Sequence, residues 1–245
     1  MGVTEITVET LDVDALRKAV GHKYSHGHAF VMSGGAGTTG AARLAARGAL
    51  RVGAGLVTLG VPPEAHLEVA SQVTAIMMRQ VAGAANLAEV LTDARITALC
   101  IGPGLGTTSL QNELVAAALD AGRKTVLDAD ALTLMAADRR LFRSLHPMCV
   151  LTPHDGEFRR LFAKISAQVE TDMATTTLDT KIKTTLAAAQ FANCVVLCKG
   201  PETVIAHPDG TTLVNLSTQN RAAPWLATAG SGDVLAGFIT GLMAR

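Results

Sequence analysis

Short apolar runs alternate along this chain with longer stretches in which apolar residues recur at helical spacing. Runs of strand length fall at 29–33, 56–61, 74–78, 98–102, 125–128, 149–151 and 195–199. Helical stretches fall between them, at 39–52, 63–71, 87–94, 109–121, 131–137 and 175–193. Several of the runs are continuously apolar, which a strand covered on both faces requires. The alternation predicts an α/β fold, a mainly parallel central sheet with helices on both faces and right-handed crossovers.

Toward the C-terminal end the pattern changes. Two β-prone runs, 203–206 and 211–216, flank His207-Pro208-Asp209-Gly210, a turn sequence that predicts a small hairpin. A polar loop, 217–228, leads to Ala229-Gly230-Ser231-Gly232-Asp233 and a final apolar helix from Val234 onward. Residues 164–176 read as a mobile insertion.

Composition narrows the function classes. A chain of 245 residues, 49% hydrophobic and 17% charged, can bury a core without disulfides or metal, as one large domain or two small ones. A formal net charge of zero argues against nucleic acid as a partner, because such binders present a basic face. No apolar run reaches the ~18 residues of a membrane span, so no membrane partner is expected. Residues 1–20 are acidic and lack an apolar signal core, and a cytoplasmic protein is expected. Cys100, Cys149, Cys194 and Cys198 lie in or beside apolar runs with no Cys-x-x-Cys pair, and read as small buried hydrophobes.

Ligands of an open parallel sheet bind beyond the carboxyl ends of its strands, and five loops there carry unusual residues. Ser33 to Gly40 is glycine-rich and precedes a helix; it is either a tight turn or a set of amides offered to an anion. Gly102-Pro103-Gly104-Leu105-Gly106 lacks the spacing of a dinucleotide fingerprint but suits a wall against a flat ligand or a phosphate. In Asp128-Ala129-Asp130, Asp130 is expected to cap the next helix, or a carboxylate faces substrate or a Mg²⁺ shell. Thr152-Pro153-His154-Asp155-Gly156-Glu157 holds His154 in a stiff loop, with Glu157 in the first turn of the following helix. Gly230-Ser231-Gly232-Asp233 carries the strongest signal: small residues and a helix N-terminus expose amides to an anion, and Asp233 is the one acid placed there. A carboxylate beside a phosphate hole opposes binding unless it accepts a proton in the chemistry. Lys199, ahead of Gly200-Pro201-Glu202-Thr203, either meets phosphate or is a solvated strand-end lysine. His22, His26 and His28 precede the first predicted strand, away from this edge, and no metal site is expected of them.

Taken in order, Lys23 to His28, Thr39 to Ala45, Gly53 to Thr58, Gly102 to Gly106, Leu127 to Leu132, Thr152-Pro153-His154 and Gly230 to Gly237 resemble the ADP- or ATP-dependent NAD(P)H-hydrate dehydratases of the ribokinase-like superfamily. The resemblance runs from about Lys23 to the end of the chain. It implies a ribokinase-like fold, hydrated NADH or NADPH as the small-molecule substrate, ADP or ATP as phosphoryl donor and Mg²⁺ to screen the phosphates. By the same resemblance Asp233 is the catalytic base, and Ala41, Gly104, His154 and Asp233 line the hydrated-nicotinamide side. Lys199, Gly200, Pro201, Glu202 and Thr203, with Gly230, Ser231 and Gly232, line the nucleotide side. It also implies a homo-oligomer, a tetramer in many members, further helices beyond Arg245, and a fused epimerase domain for which residues 1–20 would be the interdomain segment.

The sequence departs from the family at two places. Asp155 follows the loop histidine where a proline is usual, and Pro201-Glu202 replaces a smaller uncharged pair, so that Glu202 is expected to point away from phosphate. Other readings remain: a ribokinase-like kinase of a vitamin-precursor alcohol, a nucleotide-binding protein without catalysis, or a nicotinamide dehydrogenase. The loop set disfavours the first, Asp233 the second and the irregular glycine spacing the third.

Overall fold

A computed structural model describes residues 2–172 and 177–245. Among the described residues ten strands form one sheet: β1 (Val3–Glu5), β2 (His28–Met32), β3 (Leu56–Val61), β4 (Met77–Gln80), β5 (Ala98–Ile101), β6 (Lys124–Leu127), β7 (Cys149–Leu151), β8 (Val195–Cys198), β9 (Glu202–Ala206) and β10 (Thr212–Leu216). The helices are α1 (Val13–Leu16), α2 (Gly40–Arg51), α3 (His66–Ala70), α4 (Ala84–Val90), α5 (Ser109–Asp120), α6 (Asp130–Ala137), α7 (Arg139–Arg143), α8 (Asp155–Leu161), α9 (Ala163–Asp172), α10 (Leu178–Ala192) and α11 (Ser231–Ala244).

The strand order is β1-β10-β9-β8-β7-β6-β5-β2-β3-β4. All neighbours from β8 to β4 run parallel, and β9 alone opposes both of its neighbours. The chain therefore winds outward from β2 through β3 and β4, then returns to the other flank of β2 as β5. That reversal opens a crevice between the carboxyl ends of β2 and β5.

Side chains alternate across each buried strand as the pleat demands. Ala29, Val31, Ala98, Cys100 and Val126 face one layer, while Phe30, Met32, Leu99, Ile101 and Leu127 face the other. The first layer is built from small residues, with Ala42, Ala45, Ala46 and Ala49 of α2 against Ala236 and Ala244 of α11. The two helices pack so closely that a Cβ on Gly237 would lie 2.0 Å from the Ala45 carbonyl oxygen. This contact fixes α11 over β2, β5 and β6 and brings its N-terminus to the crevice edge.

Several sequence expectations are corrected. The strand expected at 74–78 begins at Met77, because Ile76 is buried in a bend rather than in the ladder. Of the stretch 164–176, read as a mobile insertion, residues up to Asp172 belong to α9, and 173–176 lie outside the described residues. Helix α10 begins at Leu178, where Thr177 accepts the Thr180 amide, rather than at 175. The short helix α7, unexpected from periodicity, starts where Asp138 accepts the Arg140 amide at 2.8 Å. The acidic lead contributes β1, whose backbone joins the edge of β10 while its side chains stay exposed. Among the described residues no helix is long and apolar enough to cross a membrane.

Candidate active site at the carboxyl edge of the sheet

The crevice between β2 and β5 is closed at its base by two glycine loops. A Cβ on Gly34 would stand 1.8 Å from the Gly104 carbonyl oxygen, so this meeting requires glycine. Gly104 takes φ +62°, and a Cβ there would lie 3.2 Å from that of Ala41. Ala41 and Gly104 thus sit together at the switch point. The first loop is not a free anion site, however. Glu68 of α3 accepts the Gly37 amide at 2.7 Å and the Thr39 hydroxyl, so the loop's own carboxylate neighbour fills the place an anion would take.

Opposite these loops stands the N-terminus of α11. The Ser231 amide turns back to the Thr228 carbonyl at 3.4 Å, and the Ser231 hydroxyl donates to the same oxygen at 3.0 Å. Among the described residues the amides of Gly232 and Asp233 find no acceptor. Orphan amides at a helix start, with the positive end of the helix dipole behind them, form an anion site. Asp233 lies on the same turn, half-buried. Burial raises its pKa above the ordinary carboxylate value; the Asp128 charge adds to the rise, Lys199 opposes it and Asp130 adds a smaller push.

Beneath that turn lies a buried network. Asp128, 1% exposed at the end of β6, accepts the Thr152 hydroxyl at 2.8 Å and the Lys199 ammonium at 2.7 Å. Glu157 stands 4.0 Å from the same ammonium. Lys199 is therefore not the solvated strand-end lysine weighed above. A Cβ on Gly232 would come within 3.4 Å of its Nζ. Asp130 does not cap α6 as expected. Ala129 occupies the cap position without a side-chain bond, and Asp130 Oδ2 accepts the Gly106 amide at 2.8 Å, tying the second loop to the third.

His154 heads α8. Its Nδ1 accepts the amides of Gly156 and Glu157, its Nε2 lies 3.6 Å from Glu157 Oε1, and about half of its side chain is open to solvent. Asp155, where proline is usual, begins the helix and meets the Lys181 ammonium at 3.0 Å. The turn between β8 and β9 is closed by the Thr203 hydroxyl on the Gly200 carbonyl at 2.7 Å, and the Pro201 carbonyl accepts the Ser217 amide at 2.7 Å. The loop that leads to α11 is thereby seated beside Lys199 to Thr203, and it carries Trp225, 90% exposed. Glu202 and Pro201 border a separate cavity of about 310 Å³ between α8, α10 and β9.

Sequence reasoning did not find Glu68, the bond of Thr152 to Asp128 or the pairing of Asp128 with Lys199. Each joins segments distant in the chain, and no local spacing signals it. His28 is buried against Thr58 at 2.7 Å, and burial lowers its pKa. Among the described residues no group of three or more His, Cys, Asp or Glu side chains could hold a metal ion.

A mainly parallel sheet with a small hairpin, a switch-point crevice and an acid at the start of the last helix make up a ribokinase-like fold. A ribokinase-like superfamily protein from Enterococcus faecalis shares the fold at a TM-score of 0.74 and 23% identity, over 98% of this chain and 79% of its own. The NAD(P)H-hydrate dehydratase family model matches residues 29–245, and the chain belongs to that family. The bifunctional NAD(P)H-hydrate repair enzyme Nnr of Moorella thermoacetica is 40% identical over 240 residues, 94% of this chain and 43% of the relative. That of Coxiella burnetii is 37% identical over 91% of this chain and 42% of its own. The chain spans less than half the length of these curated relatives. The ADP/ATP-dependent NAD(P)H-hydrate dehydratase of Bacillus subtilis, co-crystallised with ATP and Mg²⁺, superposes at a TM-score of 0.71 with 28% identity, over 94% of this chain and 76% of its own.

Proposed function

We propose that the chain dehydrates the S form of hydrated NADH or NADPH back to the reduced coenzyme at the expense of ADP or ATP. The observation that carries this reading is Asp233: a half-buried acid of raised pKa on the same helical turn as two unpaired amides, at the edge of the switch-point crevice.

Hydroxide is a poor leaving group, and phosphorylation converts it into a good one. Asp233 takes the proton of the ring hydroxyl as that oxygen attacks the terminal phosphorus of the nucleotide. The bond from phosphorus to the leaving phosphate oxygen breaks, releasing AMP from ADP or ADP from ATP. The amides of Gly232 and Asp233 hold the transferring group, aided by the Lys199 ammonium. The ring-nitrogen lone pair then expels phosphate, and the neighbouring ring carbon loses a proton to restore the double bond. Ala41 and Gly104 offer a flat wall for the nicotinamide ring.

Mg²⁺ belongs to the proposal in one form. Asp128 is engaged by Lys199 and Thr152, and among the described residues no group of three or more His, Cys, Asp or Glu could cage an ion, so the site fits a magnesium that arrives on the nucleotide phosphates. Bound there, it would neutralise the charge of the transferring group. The proposal also includes a homo-oligomer, tetrameric by the resemblance, and cooperation with an epimerase domain, which the bifunctional names of the relatives support. A cytoplasmic setting is supported by four buried, unpaired cysteines.

The test is absorbance at the reduced-nicotinamide band with hydrated NADH, Mg²⁺ and either ADP or ATP, run beside Asp233→Asn. Nucleotide-dependent recovery in the parent and its loss in the variant is the expected result. Phosphorylation of a vitamin-precursor alcohol without any recovery would instead make the chain a kinase.

A further inference from the structure

A carboxylate taken wholly out of water is costly unless its charge and lone pairs are compensated. Asp128 is compensated on one oxygen only: Oδ1 receives both the Lys199 ammonium at 2.7 Å and the Thr152 hydroxyl at 2.8 Å. Oδ2 faces the first turn of α11, where a Cβ on Gly232 would lie 4.0 Å away. The backbone of Lys199 is held on both sides, its amide on the Pro153 carbonyl at 2.8 Å and its carbonyl under the Lys181 ammonium at 3.0 Å. What remains free to move is the four-carbon stem, and Asp128 is the group that fixes its end. A side chain at position 232 would cover that end; glycine leaves it open to the anion site above.

We infer that Asp128 is a positioning residue that acts through Lys199, anchoring the ammonium under the gap at Gly232 so that it meets the phosphoryl group seated on the Gly232 and Asp233 amides. This rests on the phosphoryl-transfer reading given above and assigns the part played by a residue that would touch neither nucleotide nor substrate.

Charge arithmetic and positioning lead to opposite expectations for Asp128→Asn. A negative charge beneath a phosphate site opposes nucleotide binding, so its removal alone would tighten binding and leave turnover intact. Positioning requires turnover to fall, because the freed ammonium leaves its place. Its remaining carboxylate neighbours are Glu157, 4.0 Å away, and Asp233. The groups that act on Asp233 are Asp128, Lys199 and Asp130, while the α2 arginines Arg43 and Arg47 are drawn off to Gln72. With Asp128 neutral and Lys199 drawn toward it, Asp233 releases its proton at lower pH.

The experiment has three readouts on the full chain: ADP affinity by calorimetry with Mg²⁺ present, kcat with hydrated NADH, and titration of the Asp233 carboxyl by ¹³C NMR, its signal assigned by its loss in Asp233→Asn. For Asp128→Asn we expect kcat to fall on the order of 10–100-fold, the range of outer-shell partners, with ADP affinity held or raised and the Asp233 midpoint displaced downward. Lys199→Met should lose kcat to a similar extent and displace the midpoint upward. The double variant should lose no more kcat than Lys199→Met alone, the coupling expected of two residues that act as one. An unchanged kcat and midpoint in folded Asp128→Asn, or additive losses in the double variant, would overturn the assignment. If Asp128→Asn does not fold, an Asp233 midpoint unmoved in Lys199→Met overturns it as well. A wild-type chain that binds ADP without turning over hydrated NADH sinks the dehydratase reading alone, and the binding and titration arms still decide the place of Asp128.

Discussion

His154 and Glu157 cap one another: the Glu157 amide donates to His154 Nδ1 at 3.3 Å, and the His154 amide donates to Glu157 Oε2 at 2.8 Å. Because Nδ1 serves as an acceptor it carries no proton, and Nε2 faces the same partner, 3.6 Å from Glu157 Oε1. The histidine that the family resemblance places beside substrate is therefore also the start of α8.

Two substitutions separate these duties. His154→Ala removes the cap and should lower unfolding free energy by about 0.5–2 kcal/mol, measured by denaturant titration. His154→Asn supplies a capping oxygen without an imidazole and should recover most of that loss. If it also recovers the KM for hydrated NADH, the ring has no part in binding.

Asp233 gives the pH dependence. Its folded pKa is raised, first by burial and then by the Asp128 charge. In the proposed reaction Asp233 is the base and must be deprotonated, so the acid limb of kcat should lie above the ordinary carboxylate range. Asp233→Asn should abolish that limb together with about 10²–10⁴-fold of kcat. The stability effect has the opposite sense. A raised carboxyl pKa favours the folded state below the unfolded value, and this advantage is lost as pH rises through the folded value. Asp233→Asn should therefore be more stable than the parent at neutral pH, and the difference should vanish in acid below the ordinary carboxylate range. A variant less stable at neutral pH would contradict the desolvation argument.

The parallel core and the loops were legible because each is local. Apolar runs such as 56–61 and 149–151 are strands at those residues, and Gly230 to Asp233 announces itself by composition. What could not be read was pairing across the sheet. Asp128 and Lys199 are 71 residues apart, and Glu68 reaches back 31 residues to Gly37. Asp130 was misread for the same reason: a helix-start aspartate normally caps its own helix, but here a better-placed donor, the Gly106 amide, comes from another loop. β1 was invisible because an exposed edge strand held by backbone bonds needs no apolar pattern.

The thiols should be inert in the folded chain. Burial pushes Cys149 up to about 11, Cys100 and Cys198 up to about 12, and Cys194 up as well. Thiolate is the reactive form, so alkylation at pH 8 should be negligible until denaturant is added and then reach four groups per chain. Rapid modification of any one in native conditions would mean that its surroundings open.

The meeting of Gly34 with Gly104 predicts a kinetic effect distinct from a stability effect. A methyl group on Gly241 would strike the Ala49 carbonyl, 2.6 Å away, within the α2–α11 contact and about two helical turns beyond Asp233, and overpacking there costs about 1–3 kcal/mol. Gly241→Ala should lower the unfolding midpoint while the residual folded enzyme keeps its KM for hydrated NADH. A methyl on Gly34 instead strikes the Gly104 carbonyl, 1.8 Å away, and must push the two crevice loops apart. Ala41 and Gly104 would then no longer form one wall. Because a displacement of about 1 Å can reduce turnover on the order of 10²-fold, Gly34→Ala should raise KM for hydrated NADH and lower kcat together, with ADP affinity, set on the far side of the crevice at α11, left near the parent value. Equal losses in ADP affinity and in KM would show that the crevice and the anion site are one rigid unit rather than two walls.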